Sequence, residues 1–352
     1  MIKNSMILML CLVLIGLFFG TDQLAQAVGE GPNYNGNETI KNERLHSYNE
    51  MVNFLEKVEK RSDEMILEVY GQSIKGRDLY LAKFGEDEDN PTVLFLTQQH
   101  GNEALSTESA LEIIKYLTNN SKGVKEILEN VNVLIAPRLN VDGAEGDVNF
   151  SLEDYVSGTH TRYNADGFDL NRDHVNRNQP ETKALHENVI QKYGPDYMID
   201  FHHQGTQTTL GGTDEYVSGS ILYPTNEGVD PDVRERSKQL GAIVYNAVDT
   251  NGYGLLSKYR GGTAPTISRN GLALEYGIAT LLFEMRGMAD HYYKPYVLGQ
   301  KSNGYLIQQG VTAMKAVLES FVEGSIETVD TSFWDTLPLS GSKGEEHEDE
   351  HQ

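Results

Sequence analysis

Four short runs, at 92–97, 131–136, 197–201 and 280–283, are apolar almost without interruption and rich in Val, Ile, Leu and Phe. A strand with one wetted face alternates apolar and polar residues, whereas a continuous apolar run suits a strand covered on both faces. Between the runs lie stretches with apolar residues at helical spacing, at 103–118, 180–193, 231–248 and 303–321. This alternation predicts an α/β fold: one domain with a mixed, mostly parallel central sheet and helices on both faces. Such sheets bind ligands beyond the carboxyl ends of their strands. His100, Arg138, His202 and Glu284 each stand at or just past the end of one run, so four polar residues are expected along one sheet edge.

Composition narrows the partners. With 352 residues and 39% hydrophobic content the chain can bury a sizeable core. A formal net charge of -23, from 29 Lys+Arg against 52 Asp+Glu, argues against a nucleic-acid partner and against docking on anionic lipid, since both need a basic surface. Residues 1–27 read as a signal peptide: Lys3 supplies the positive start, 6–19 the apolar stretch, and Ala25-Gln26-Ala27 a small-residue cleavage site. Cleavage after Ala27 predicts a secreted protein with no membrane attachment; an uncleaved anchor is the alternative. Cys11, the only cysteine, falls inside this segment, so the mature chain is expected to hold neither thiol nor disulfide. Residues 28–329 show no repeat or linker and are expected to form one domain, with 330–352 an acidic, disordered tail.

The polar residues at the run ends carry recognisable chemistry. His100-Gly101-Asn102-Glu103 places an imidazole and a carboxylate three residues apart, and Asp200-Phe201-His202 adds a second imidazole far downstream. Two imidazoles and a carboxylate leave a fourth tetrahedral position for water, the ligand count of a hydrolytic zinc site rather than a structural one. A His-x-x-Glu spacing alone is a weak signal, and its company must raise it. The segment 162–172 crowds Arg162, Asp169, Asn171 and Arg172 into a glycine-containing loop. A guanidinium fork matches a carboxylate, and asparagine adds a donor. Glu284 ends the last apolar run, where desolvation raises a carboxyl's affinity for a proton, as a general base working near neutral pH requires. A solvated loop with internal salt bridges, and an ion pair between Glu284 and Arg286, are the blander readings. No Gly-x-Ser-x-Gly elbow is present, in keeping with a mechanism without a covalent intermediate.

Taken together, these segments resemble the zinc carboxypeptidase family typified by carboxypeptidases A and B. The resemblance runs through Gly71-Gln72-Ser73-Ile74-Lys75-Gly76-Arg77-Asp78-Leu79, His100-Gly101-Asn102-Glu103, Asn140-Val141-Asp142-Gly143, Gly167-Phe168-Asp169-Leu170-Asn171-Arg172, Gln179-Pro180-Glu181-Thr182, Asp200-Phe201-His202 and Phe283-Glu284-Met285-Arg286. It implies zinc-dependent hydrolysis of the C-terminal peptide bond of peptides, with one Zn2+ per chain held by His100, Glu103 and His202. Asp169 is similar to the carboxylate that orients the first ligand histidine, Glu284 to the general base and Arg162 to the cation that polarises the scissile carbonyl. Asn171 and Arg172 would grip the substrate's terminal carboxylate. Tyr259, before Gly261-Gly262, would cap it, with Tyr253 the alternative. His203 adjoins His202, and the family's Asp-x-His pattern selects His202.

The implied substrate is a peptide or small amide with a free terminal carboxylate. A cell-wall peptide with a γ-glutamyl or diamino-acid linkage, or an N-acyl amino acid, would suit the same site, and a non-catalytic peptide-binding module is the remote alternative. Residues 28–48 are too few for a folded inhibitory segment, so a secreted enzyme of bacterial type without a globular pro-domain is expected. The interval 261–284 is longer than in the digestive enzymes. Arg269 and Glu275 within it are candidates for selecting acidic or basic side chains, with an exposed loop position expected for both. The connection 144–161 reads as a cleft-flanking lid. His160 and His174 are placed beside the cleft, His46, His186 and His291 at surface or packing positions, and Arg138 at either a substrate contact or a structural ion pair.

Overall fold

The apolar runs form the middle of an eight-stranded sheet. The computed structural model describes residues 45–145, 161–206, 208–211, 213–251, 255–287 and 303–342. The export segment, Tyr253, His160, His291 and positions 146–160 of the expected lid lie outside the described residues. The strands are β1 (Ile66–Gln72), β2 (Asp78–Phe84), β3 (Thr92–Thr97), β4 (Asn132–Ala136), β5 (Tyr197–Gln204), β6 (Thr208–Leu210), β7 (Gly219–Leu222), β8 (Leu256–Lys258), β9 (Ala279–Arg286) and β10 (Ser340–Ser342). Eight of them lie in the order β1-β2-β4-β3-β5-β9-β7-β8, and β6 pairs with β10 apart from these. Four of the seven pairings in the large sheet are parallel, so the expectation of a mixed, mostly parallel sheet holds.

Helices cover both faces. The longer ones are α1 (Tyr48–Glu59), α2 (Ala104–Leu117), α3 (Lys122–Leu128), α4 (Val141–Glu145), α5 (Pro180–Leu185, continued by a π-turn at His186–Ile190), α6 (Pro231–Thr250), α7 (Ser268–Tyr276) and α8 (Asn303–Glu323). Their ends follow the local chemistry. Ser47 and Glu50 close a reciprocal capping box on α1. Asp230 caps α6 ahead of Pro231, and α7 stops at Gly277, which takes the left-handed φ of 69°.

Because successive residues of a strand face opposite sides, β5 and β9 each feed two layers. Ile199, Phe201, Leu281, Phe283 and Met285 enter the larger core with α2, α6 and α8. Met198 faces a second core with Leu185, Val189 and Leu272, and so, by alternation, do Asp200, His202, Leu282 and Glu284 at the strand ends. The apolar alternate keeps each strand in register, while its partner positions are released for chemistry.

The expected boundary at 330 is corrected. Residues 332–335 form a 3-10 turn that buries Trp334, whose Nε1 donates to the Lys238 carbonyl at 3.0 Å. Gly241 of α6 gives the indole its seat, because a Cβ there would lie 2.4 Å from Trp334 Cζ2. Beyond it, β10 pairs with β6. The acidic composition of the C-terminal stretch hid one large apolar anchor, so the folded domain extends through Ser342. Trp334→Ala should destabilise the domain by about 3–5 kcal/mol, read as a lower midpoint in denaturant unfolding. An unchanged midpoint would restore the boundary at 330.

Candidate active site

Sheet register brings the first two functional residues together. In the parallel β5·β9 pair His202 lies directly opposite Glu284, and Asp200 opposite Leu282. The next strand over, β3, ends at Thr97, after which the chain turns sharply to deliver His100 and Glu103 at the start of α2. The turn is strained: Gln98 takes a left-handed φ of 53°, uncommon for a residue with a Cβ. Its side chain is tied down on every side. Nε2 donates to the Gly101 carbonyl at 2.6 Å, and Oε1 accepts from Thr107 Oγ1 and, at 2.9 Å, from Arg138 Nε. Arg138 also donates to the His46 carbonyl at 2.7 Å and lies 3.5 Å from Glu145, so the structural reading of this arginine holds.

Two motif glycines have a packing reason. A Cβ on Gly101 would lie 2.2 Å from the backbone of Gly143 and of Thr161, and one on Gly143 would lie 2.3 Å from the Tyr163 carbonyl oxygen. The ligand turn, α4 and the arginine loop therefore meet backbone to backbone. Asn140 joins them, donating to the Arg162 carbonyl at 3.1 Å and accepting from Gly143 N at 2.8 Å. Asp142, buried, collects Ser73 Oγ at 3.0 Å, Lys75 N at 2.9 Å and Arg77 Nη1 at 2.6 Å. The patterns around 71–79 and 140–143 thus brace the site without entering it.

His100, Glu103 and His202 are all buried, and their ligand atoms lie within 4.8 Å of one another. Glu103 Oε1 is 2.8 Å from His100 Nδ1, Oε2 is 2.9 Å from His202 Nδ1, and the two Nδ1 atoms are 3.1 Å apart. Each imidazole turns its other nitrogen to a carboxylate: His100 Nε2 to Asp169 Oδ1 at 3.1 Å, His202 Nε2 to Asp200 Oδ2 at 2.9 Å. Donation from Nε2–H leaves the Nδ1 lone pairs converging on Glu103. Zinc ligands at roughly 2.0 Å in a tetrahedron stand about 3.3 Å apart, and the three separations here are close to that. Burial pushes the Glu103 carboxyl up, but the two imidazoles outweigh it and hold it well below the usual range. Burial likewise pushes His202 down, and Asp200 and Glu103 reverse this and hold it well above its ordinary value. One proton can satisfy part of this set; a divalent cation satisfies all of it.

Around the cluster opens a cavity of about 560 Å³. Glu284 lines it from β9; burial, partly opposed by His202, pushes its carboxyl up to about 7. Arg162 lines it too, donating from Nη2 to Asp169 Oδ2 at 3.1 Å with Nη1 3.9 Å from Glu103. Asp169 also accepts from Asn171 N at 2.9 Å, tying His100 to the arginine loop. Burial pushes Asp169 up, yet His100, Arg162 and Arg172 hold it far below the usual carboxylate range. Asn171 accepts from Ser268 N at 2.8 Å, and the exposed Arg172 reaches back to the Asn171 carbonyl at 2.7 Å. Tyr259 borders the same space. His100, Glu103, Arg162, Asn171, Arg172, Tyr259 and Glu284 therefore line one cavity, with His202 and Asp169 in contact with its wall. His203 lines the cavity but adds no atom to the ligand set.

Two placements differ. His174 is buried behind the site, not beside the cleft, with Nε2 2.8 Å from Gln99 Oε1 and Nδ1 3.1 Å from His186 Nε2. Arg269, expected on an exposed loop, is 3% exposed and lines the cavity. Glu275 is exposed as expected and pairs with Arg177 outside. Asp200 is a further functional residue, and its position two residues before His202 on a strand puts both on one face. Arg260, Ser340 and Gly341, not singled out from the sequence, line the cavity mouth from β10 and the chain beside it.

The strand ends thus gather two imidazoles and a carboxylate that could hold a metal ion, backed by Asp169 and Asp200. The chain belongs to the zinc carboxypeptidase family, whose profile matches residues 51–264. It is 25% identical over 277 residues to carboxypeptidase 2 of Trichophyton rubrum, covering 72% of this chain and 47% of that protein. It is 32% identical over 217 residues to carboxypeptidase D of Mus musculus, covering 58% of this chain and 14% of that protein. The chain thus spans about half the length of the fungal relative and far less of the murine one. In fold it is similar to carboxypeptidase A from Helicoverpa armigera, with a TM-score of 0.60 at 16% identity, over 90% of this chain and 82% of that one. A metallo-carboxypeptidase from Burkholderia cenocepacia gives a TM-score of 0.61 at 17% identity, over 80% and 70%.

Proposed function

We propose that this chain is a zinc-dependent exopeptidase that releases the C-terminal residue of peptides. The observation that carries the reading is the placement of Glu284 across one strand gap from His202, in the cavity that also holds Arg162 and Arg172. His100, Glu103 and His202 would hold one Zn2+, which supplies Lewis acidity and lowers the pKa of water when bound. Glu284 accepts the proton of the attacking water and returns it to the leaving amine; a carboxyl pushed up to about 7 suits both transfers near neutral pH. Arg162, fixed by Asp169, donates to the oxygen that gains charge as the carbonyl becomes tetrahedral. Asn171 and Arg172 hold the terminal carboxylate, which sets how far from the chain end the cleaved bond lies. Tyr259, at the cavity edge, closes over the bound residue. No covalent intermediate is needed.

The reading makes two joint demands. Purified protein should contain about one zinc per chain by metal analysis, and a chelator should abolish release of C-terminal residues. A peptide whose terminal carboxylate is capped as an amide should lose at least about 100-fold in kcat/KM, since a site built to pair a charge rejects the analogue lacking it. Equal turnover of acid and amide would mean that the arginine loop does not select chain ends. Among the described residues no helix is long and apolar enough to cross a membrane. With residues 1–27 as an export signal, we place the working enzyme outside the cell. N-terminal sequencing of protein collected from the medium should begin at Val28; recovery only in the cell, with Met1 intact, would refute export.

A further inference from the structure

We infer that Arg269 reads an acidic side chain on the substrate's last residue, so that the preferred substrates end in glutamate or aspartate. This rests on the exopeptidase reading above and adds the substrate class to it. Arg269 lies in the first turn of α7, is 3% exposed, and lines the cavity that holds Glu284. Nε donates to the Tyr223 carbonyl at 3.1 Å, and Nη2 to Thr225 Oγ1 at 3.1 Å and the Gly262 carbonyl at 2.6 Å. All three acceptors are neutral. Among the described residues no carboxylate forms an ion pair with Arg269, and Nη1 has no hydrogen-bond acceptor. One edge of the guanidinium is thereby anchored and oriented, while no carboxylate contacts it and Asp200 and Glu284 favour its charge only from a distance. Burial favours the uncharged form, but even with the pKa held down to about 10 the group is a cation at neutral pH. A buried cation without a carboxylate in contact is costly, and a substrate carboxylate supplies one.

The neighbourhood points the same way. In a chain of net charge -23 the cavity is lined by four arginines, Arg162, Arg172, Arg260 and Arg269, against two carboxylates, Glu103 and Glu284. Glu103 belongs to the metal cluster, so the space offered to substrate is positive. The two binding elements also touch. Ser268 N, one residue before Arg269, donates to Asn171 Oδ1 at 2.8 Å, so the first turn of α7 abuts the residues proposed to hold the terminal carboxylate. A residue gripped there presents its side chain toward that turn. Glu275, the competing candidate and a reader of basic side chains if it faced the cavity, points outward to Arg177 instead.

The test is a set of peptides differing only in the last residue, glutamate, glutamine, leucine or lysine, hydrolysed by the zinc-loaded enzyme. Glutamate against its uncharged isostere glutamine isolates charge, and kcat/KM should favour glutamate by about 100-fold. Arg269→Gln should abolish the ratio of glutamate to glutamine turnover, whatever its effect on the absolute rates. Arg269→Glu should move the preference to lysine. Because Arg269 also ties the 223–225 stretch to Gly262, Arg269→Lys is the folding control and should keep part of the glutamate preference. Calorimetric binding of the same peptides to the zinc-loaded Glu284→Gln protein reads selectivity without turnover. Glutamate preferred in rate or in binding, and lost in Arg269→Gln, supports the inference. Hydrolysis that is equal for glutamine and glutamate, or better for leucine, overturns it and leaves the exopeptidase reading standing. Failure to cleave any peptide while glutamate peptides still bind preferentially overturns the exopeptidase reading alone.

Discussion

Glu284→Gln should lower kcat by about 1,000-fold, within the range a general base contributes, while zinc content and peptide binding stay close to those of the parent. The amide keeps the shape of the side chain and removes its ability to take a proton, so the loss measures proton transfer rather than packing. The pH profile gives the sharper signature. A base must be unprotonated to act, so kcat/KM rises tenfold per pH unit below the pKa of Glu284 and levels above it. Burial sets that pKa at about 7 without metal, and a bound dication, which favours the carboxylate, moves the bend lower. The acid limb should vanish in Glu284→Gln. The same shift has a stability sign. A carboxyl whose folded pKa is raised stabilises the fold at low pH and costs stability as pH rises through about 7. Zinc-free Glu284→Gln should therefore be the more stable protein at pH 8, by on the order of 2–3 kcal/mol, and the difference should shrink toward pH 4. A variant as active as the parent, or one with the same acid limb, would remove Glu284 from the mechanism.

How much of this could be read from the chain depends on how local the cause is. The strand runs 92–97 and 197–201 were visible because burial on both faces writes itself into consecutive residues. His100, Glu103, His202 and Glu284 were visible as polar residues ending such runs. What joins His202 to Glu284, however, is the parallel register of β5 with β9, whose members are separated by three other strands and two helices in sequence. No window of sequence contains that register; only the recurrence of several motifs in order implied it. Arg269 was misplaced for a related reason. Its segment is polar and follows two glycines, as a surface loop would, and it is buried by Tyr223, Thr225 and Gly262, which hold its guanidinium from other parts of the chain. Trp334 failed in the opposite way: one apolar residue decided the boundary of a segment whose average composition is acidic.

Asp200 shows what pattern recognition leaves out, and its substitution gives the second large effect expected. Asp200→Asn should weaken zinc binding by about 10–100-fold, and His202→Ala, which removes a ligand outright, by more. Asp200 is fully buried, and burial pushes its carboxyl up; His202, Ser268 and Gln99 outweigh this and hold it below the usual range. Gln99 Nε2 donates to Asp200 Oδ2 at 2.6 Å, and Ser268 Oγ donates to the same oxygen. The carboxylate therefore stays charged, accepts the His202 Nε2–H, and keeps the Nδ1 lone pair aimed at Glu103. Asparagine can turn an N–H toward His202 Nε2. That would favour the other tautomer, with a proton on Nδ1 where the metal belongs. Behind Gln99 the chain of contacts runs through the buried His174 and His186 to the Tyr276 hydroxyl, 3.0 Å from His186 Nδ1. Burial pushes both histidines down, His174 to about 4 and His186 to about 2, so they stay neutral and orient Gln99 across the physiological range. Competition for zinc against a chelating dye measures the affinities directly. Affinity in Asp200→Asn equal to that of the parent would make Asp200 a packing residue, and the convergence of the two Nδ1 atoms would then have to come from backbone placement alone.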